Sequence, residues 1–333
     1  MQYSSFPKKL SIPFANSGDK QNIPNNSQIG IDDGRASYDD GFPPLTRTPL
    51  SAGGKPPYGT DMNGVLFDIT GSARWSAAGA SYKYDSTFSS AIGGYPKSSI
   101  LLNSTLNGTW LNTIENNQNN PEESLSGWVP LNYYGNTIVT VSGTSNVVLT
   151  PLQAASDTII ISGTVSSPIN IIFPAWIKEW TVVNKTNGNY VACKTASGTV
   201  SSAVWARATS VIVGDGINVI QKNPAQRGES GGVFLGSSLF MVWGSSSAIT
   251  NLPSSNGIYE SSTVLVNPSF TNAGITYTPN NVLNVQLTPN DIIGSGLAES
   301  AWLNALGTNS FSYLCSSRQN GATLKTSWVA ICN

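Results

Sequence analysis

Carboxylates are the side chains on which any catalysis by this chain would rest, because its 333 residues include no histidine. That composition removes Ser-His-Asp and Cys-His nucleophiles, His-ligated metals and the commonest general base. Two carboxyl groups held about 5–10 Å apart across a sugar could still hydrolyse a glycosidic bond. The acids beyond residue 150 are Asp157, Glu179, Asp215, Glu229, Glu260, Asp291 and Glu299. Asp215 sits inside a Gly-Asp-Gly turn, and Glu299 falls on the outer side of an expected helix. Spacing along the chain pairs none of them, although any two could meet in space.

Other chemistries are poorly served. Asp32-Asp33 and Asp39-Asp40 offer oxygens to a hard cation, but they lack the alternating ligands of an EF-hand loop, and Asp-Gly is an ordinary turn former. Glu122-Glu123, in a polar loop, reads as solvated. Three widely spaced cysteines, Cys193, Cys315 and Cys332, form neither a disulfide framework nor a zinc site. A Cys315–Cys332 bridge and a set of buried neutral thiols both remain open. The stretch GESGGVFLG lacks the Lys-Ser/Thr pair of a phosphate loop and reads as a linker or turn. No catalytic residue, metal or cofactor is assigned.

Binding is better provided for. A glycan site needs aromatic faces for sugar C–H surfaces, with amides and guanidinium groups for the hydroxyls. The last third supplies Trp302, Phe311, Tyr313, Arg318, Asn320 and Trp328. Tyr313, Arg318, Asn320, Trp328 and Trp302 are the receptor-binding candidates. The competing role for Trp302 and Trp328 is core packing, since large aromatics are highly buried on average. Arg318 and Asn320, beside a turn, fit a surface site or an ordinary hairpin tip.

The elements that would position these groups are mostly strands. Only 11% of residues are charged and the net charge is −1, with 39% hydrophobic residues. A basic stripe for nucleic acid is missing, and no apolar run approaches the roughly 20 residues of a membrane helix. Neither nucleic-acid binding nor membrane insertion is expected. A polar, weakly charged surface suits extracellular fibres, adhesins and some secreted hydrolases alike.

The expected architecture is mainly β and multidomain. Residues 1–31, with Pro7, Pro13 and Pro24, read as an extended arm or a loose tail. Residues 32–128 read as a small α+β module. In it Thr60 or Asp61 caps a helix with Met62, Val65, Leu66, Ile69 and Ala73 on its apolar side. Asp85 caps a second helix with Phe88, Ala91 and Ile92 inward, and Ser99–Asn103 and Thr109–Thr113 are strands about Asn107-Gly108. Residues 129–221 carry β-branched runs about ten residues apart, the spacing of a β-sandwich-like domain. Residues 222–250 read as a linker with one or two strands. Residues 251–333 form a β-rich C-terminal domain with a helix over Ser295–Leu306 and a hairpin at Asn320-Gly321. Together they describe an elongated, fibre-like chain.

Two passages carry a resemblance. FANSGDKQNIP, followed by the Gly/Pro-punctuated run from DDGRASYDDGFPP through GGKPPYGTDMNGVLFDIT to IGGYPKSS, resembles the N-terminal attachment region of tailed-bacteriophage tail fibre proteins over about residues 6–128. FPAWIKEWTVVNKTNGNYVACKTASGTV, closing with VGDGINVI, is less specifically similar to a β-domain of phage fibres over about 136–221. The resemblance implies a structural virion protein and a homotrimer, although no heptad run is visible. Its N-terminal part would dock to tail tip or baseplate proteins. Its distal part would meet a host-surface glycan or outer-membrane protein. Residues 1–10 lack a secretory leader pattern, which fits synthesis in the host cytoplasm and residence in the distal tail of the virion. The alternatives are an adaptor that anchors a longer receptor-binding fibre, and a carbohydrate-active enzyme or depolymerase. Glycan-cleaving tail spikes usually carry long β-helical domains, for which little chain is left here.

Overall fold

The computed structural model describes residues 2–226, 228–235, 238–272, 275–290 and 299–333. The chain is mainly β and divides into two units, Met1–Asp85 with Ile100–Ser104 and Ser86–Ser99 with Thr105–Asn333.

In the first unit an arm and short 3-10 turns lead to a helix over Gly59–Ala77. Tyr58 is its N-cap residue and no side chain caps it, so neither Thr60 nor Asp61 does so. Asp61 instead accepts the N–H of Ala36 at 2.7 Å. The buried helical residues are Asp61 and Gly64, whereas Met62 and Ile69 are 47% and 58% exposed and Ala73 is exposed. On the expected apolar side Met62, Ile69 and Ala73 therefore face outward, while Val65 and Leu66 are half-buried. Beyond the helix the chain is tied by Leu102 N–H to the Tyr82 carbonyl and by Lys83 Nζ to Ser104 O.

The second unit begins with a helix over Ser86–Ile92, in which Ser89 is buried and Phe88, Ala91 and Ile92 are exposed, the reverse of the expected orientation. Strand Gly108–Asn112 pairs antiparallel with Trp128–Tyr133. Two buried amides hold the loop that follows it. Asn112 Nδ2 donates to the carbonyls of Tyr95 and Pro96, and its Oδ1 accepts from Asn117 Nδ2 at 2.8 Å. Asn117 also donates to Ser126 O. Burying these amides costs little because each finds partners.

The middle of the chain coils. Strands Asn136–Gly143, Thr158–Val165 and Ile177–Asn184 lie side by side in parallel. Val147–Val148, Ile169–Phe173 and Val191–Thr195 form a second parallel ladder. Register steps by 22 residues from Asn136 to Thr158, by 23 from Thr158 to Thr181, and by 22 from Ile169 to Val191. This is a short parallel β-helix, one specific form of the sandwich-like β-domain expected. The two facing sheets are as expected, but each crossover between parallel neighbours runs through the opposite sheet. Inward residues alternate and stack in files such as Val147–Ile171–Cys193, around a core that includes Ile159, Ile161, Phe173, Trp180 and Ile212. Antiparallel strands Thr209–Asp215 and Val219–Gln221 extend the first sheet beyond Ile177–Asn184.

Beyond residue 224 the strands make one large antiparallel sheet and a separate pair, Phe270–Asn272 with Ile275–Tyr277. The stretch 222–250, read as a linker with one or two strands, contributes Gly231–Phe234 and most of Phe240–Pro253, which pairs residue by residue with Ala322–Cys332. Ser300–Leu306 is a strand paired with Phe311–Ser317, not a helix; 295–298 lie outside the described residues. Register shifts between Leu303 and Ala305, and that irregularity blurs the period-2 signal. The chain turns at Asn320-Gly321, but not as a two-stranded hairpin. Phe311–Ser317 pairs with Tyr259–Ser261, Val264–Val266 and Ser300–Leu306, while Ala322–Cys332 pairs with Phe240–Pro253 and Val282–Asn290. Cys315 and Cys332 are free, buried and part of this core, so the bridge is not formed.

Candidate functional site

The segment Phe14–Pro24 works as a strap across one side of helix Gly59–Ala77. Phe14 N–H donates to Thr70 Oγ1 at 2.8 Å, and Asn63 Nδ2 donates to Asp19 O at 2.7 Å. Gln21 N–H donates to Thr60 O at 3.1 Å. The Lys20 ammonium lies 4.6 Å from the Phe67 ring centroid, close enough for cation–π attraction. Gly64 is required by this approach, since a Cβ there would stand 2.1 Å from Gln21 O.

The DDGRASYDDG loop secures the strap and the helix flank. Arg35 Nη2 donates to Asn22 O, and Tyr38 N–H donates to Pro24 O. Tyr38 Oη donates to Asp68 at 2.7 Å, and Tyr58 Oη donates to Asp32 at 2.9 Å. Hydrogen bonding to a carboxylate raises each phenol above its ordinary pKa, in Tyr38 helped by desolvation. Asp33 accepts from Gly30 N–H and lies 3.8 Å from Lys55 Nζ. Asp32 and Asp33, one of the acidic pairs that invited a calcium reading, thus hold a turn and neighbouring side chains.

This unit has almost no apolar interior. Among its described aliphatic and aromatic side chains other than proline, Ala36 and Leu101 are buried, while Phe6, Ile12, Ile31, Leu50, Met62 and Ile69 are exposed. Sequence reasoning missed the locking roles of Gly64, Asn63, Asp61 and Tyr38. Their signal was membership of the GTDMNG and ASYDDG phrases, which periodicity does not weigh.

The receptor-binding candidates do not form one surface. Tyr313 and Trp328 are buried in the C-terminal core; Tyr313 Oη shares a 2.8 Å hydrogen bond with Ser246 Oγ, and Trp328 packs T-shaped on Phe311. Trp302 is 39% exposed, opposite Leu314 in the sheet. Arg318 and Asn320 are exposed at the turn before Ala322–Cys332.

Of the carboxylates beyond residue 150, Asp157, Glu179, Asp215 and Glu260 each have partners of their own, and Asp291 lies outside the described residues. Asp157 pairs with Lys178, and Glu179 lies 2.7 Å from Lys222. Asp215 accepts from the N–H groups of Asn218 and Ile217, which lower its pKa. Glu260 accepts from Ser254 Oγ. An apolar cleft of about 600 Å³, bordered by Leu125, Trp128, Leu149, Phe173 and Trp176, has Glu123 as the carboxylate in its lining. Such a cleft can take an apolar chain or a sugar face, but it does not present the two opposed acids of a glycosidase. Among the described residues no three Cys, Asp or Glu side chains converge as metal ligands, and no helix is long and apolar enough to cross a membrane.

No family model and no curated protein matches the chain. Among solved structures it is similar to an N-truncated R1-type pyocin tail fibre, at 16% identity and a TM-score of 0.24. That match covers 33% of this chain and 85% of the other.

Proposed function

We propose that this chain is a structural tail fibre component of a tailed bacteriophage, attached to the tail tip or baseplate through its N-terminal unit and directed distally toward the host surface. The observation that carries the reading is the strapped helix. The phrases that resemble fibre attachment regions are the ones that lock the arm to Gly59–Ala77, and they leave Met62, Ile69 and Ala73 of its apolar side outward. A unit without its own core is suited to being completed by neighbours, because exposed apolar area is stabilised only when something covers it.

Its partners would be two further copies of the chain and the proteins of the tail end. Light scattering of the purified chain should then give about three times 35.1 kDa; a monomer would count against the fibre. Antibody against residues 1–85 should label the proximal end of the fibre on particles. The reading contains no catalytic step. Host capsule or O-antigen should keep its length after incubation with the protein, and shortening would instead support a depolymerase.

Burial of Tyr313 and Trp328 favours a second reading, an adaptor that anchors a longer fibre. The triple variant Trp302→Ala, Arg318→Ala, Asn320→Ala separates the two. Lost adsorption by intact particles supports receptor binding by this chain, and unchanged adsorption supports the adaptor.

A further inference from the structure

We propose that the outward stripe of helix Gly59–Ala77 is the surface on which copies of this chain meet, helix against parallel helix. The inference rests on the fibre reading for the existence of an oligomer, but it names where the copies touch.

At 3.6 residues per turn, Met62, Val65, Leu66, Ile69, Ala73 and Ser76 fall within about 100° of the helix circumference. Thr60, Asn63, Gly64, Phe67 and Thr70, which touch the strap, span about 120° on the opposite side. The strap and the DDGRASYDDG loop are thus committed to the polar side by their hydrogen bonds. They leave Met62 and Ile69 exposed.

Three properties of the stripe select a second copy as its occupant. It is free of charge: the ionisable residues of the helix, Asp61, Asp68 and Arg74, all lie off it. Identical neutral stripes can therefore face each other without like-charge repulsion, whereas binding a charged partner would gain nothing there. The spacing Met62, Val65, Ile69, Ser72, Ser76 alternates three and four, the seam an identical parallel helix meshes with. The seam covers only two heptads and ends in serines, so it does not stand out as a heptad run. Finally, small residues at Ser72, Ala73 and Ser76 let backbones approach at the C-terminal end of the helix.

Cysteine cross-linking of the full chain tests this, and the native thiols, all buried, leave the background low. A disulfide forms only where Cα atoms come within about 7 Å. The I69C chain, oxidised with copper phenanthroline, should run largely as a covalent dimer on a non-reducing gel. The R74C chain, substituted at an exposed position away from the stripe, should stay a single chain. Both positions are exposed, so neither change should unfold the protein. If light scattering shows an oligomer but I69C does not cross-link, or R74C cross-links equally, the contact lies elsewhere and the inference fails while the fibre reading stands. A monomeric wild-type chain would overturn both.

Discussion

The strapped N-terminal helix and the coiled middle domain bury their residues in opposite ways. In the middle domain, alternating side chains from two parallel ladders close on a core that includes Ile159, Ile161, Phe173, Trp180 and Ile212, each no more than 2% exposed. In the N-terminal unit, the helix turns Asp61 and Gly64 inward, holds the strap by hydrogen bonds, and exposes Met62 and Ile69. One region supplies its own hydrophobic stabilisation. The other is given shape by directional polar contacts and leaves apolar area exposed. A hydrogen bond adds only about 1 kcal/mol net but fixes geometry, while buried apolar area supplies energy without direction. Under the proposed fibre role, the contrast is between a domain stable by itself and one completed by its neighbours.

The contrast is sharpest under Trp180→Ala. Trp180 is fully buried, packs T-shaped on Phe173 at 5.0 Å and donates Nε1–H to Ala154 O. Its removal should cost about 3–5 kcal/mol in urea unfolding of the middle domain. Ile69→Ala should leave that transition where it was, and a comparable loss from both would break the comparison.

Adding one methyl group in each region is the next test. Gly163 has φ +115° and a Cβ there would lie 2.0 Å from Val141 O, so Gly163→Ala should cost about 1–3 kcal/mol in the same unfolding transition. Gly64→Ala drives a Cβ into Gln21 O and should free the strap without moving that transition. Limited proteolysis should then cut within residues 14–24 of the variant and spare the parent.

The smallest effect expected is chemical. Cys193 is buried, and burial pushes its thiol up to about 12, while desolvation also raises Cys315 and, to about 11, Cys332. All three should resist a thiol reagent at pH 8 and react only after unfolding. The unfolded thiol ionises near pH 9 while folded Cys193 stays protonated. The stability this confers is complete below about pH 9 and is lost as pH climbs toward 12. The C193V chain should show a shallower slope in that window, the remainder coming from Cys315 and Cys332.

Much of the β-structure was legible because alternation reports a buried face whatever the partner strand is. Thr158–Val165, Ile169–Phe173 and Ile177–Asn184 announced themselves in this way. The same alternation serves an antiparallel sandwich and a parallel coil, so it leaves the pairing open. The helix expected over Ser295–Leu306 rests on Leu297, Ala301, Trp302 and Leu306 sharing one side, and the shift between Leu303 and Ala305 hides the strand period of Ser300–Leu306. Of the candidate surface residues, Trp302, Arg318 and Asn320 emerged at the surface, while Tyr313 and Trp328 went to the core through Ser246 and Phe311.

Local pattern was enough to specify a mainly β chain, an apolar stripe on Gly59–Ala77 and the absence of histidine chemistry, since each depends on residue type and near spacing alone. What the stripe faces was decided by contacts between residues far apart in sequence, Phe14 with Thr70 and Asp19 with Asn63. The same holds for the coil, whose register joins residues more than twenty positions apart. Periodicity states which side of an element is apolar; only long-range pairing states what covers it.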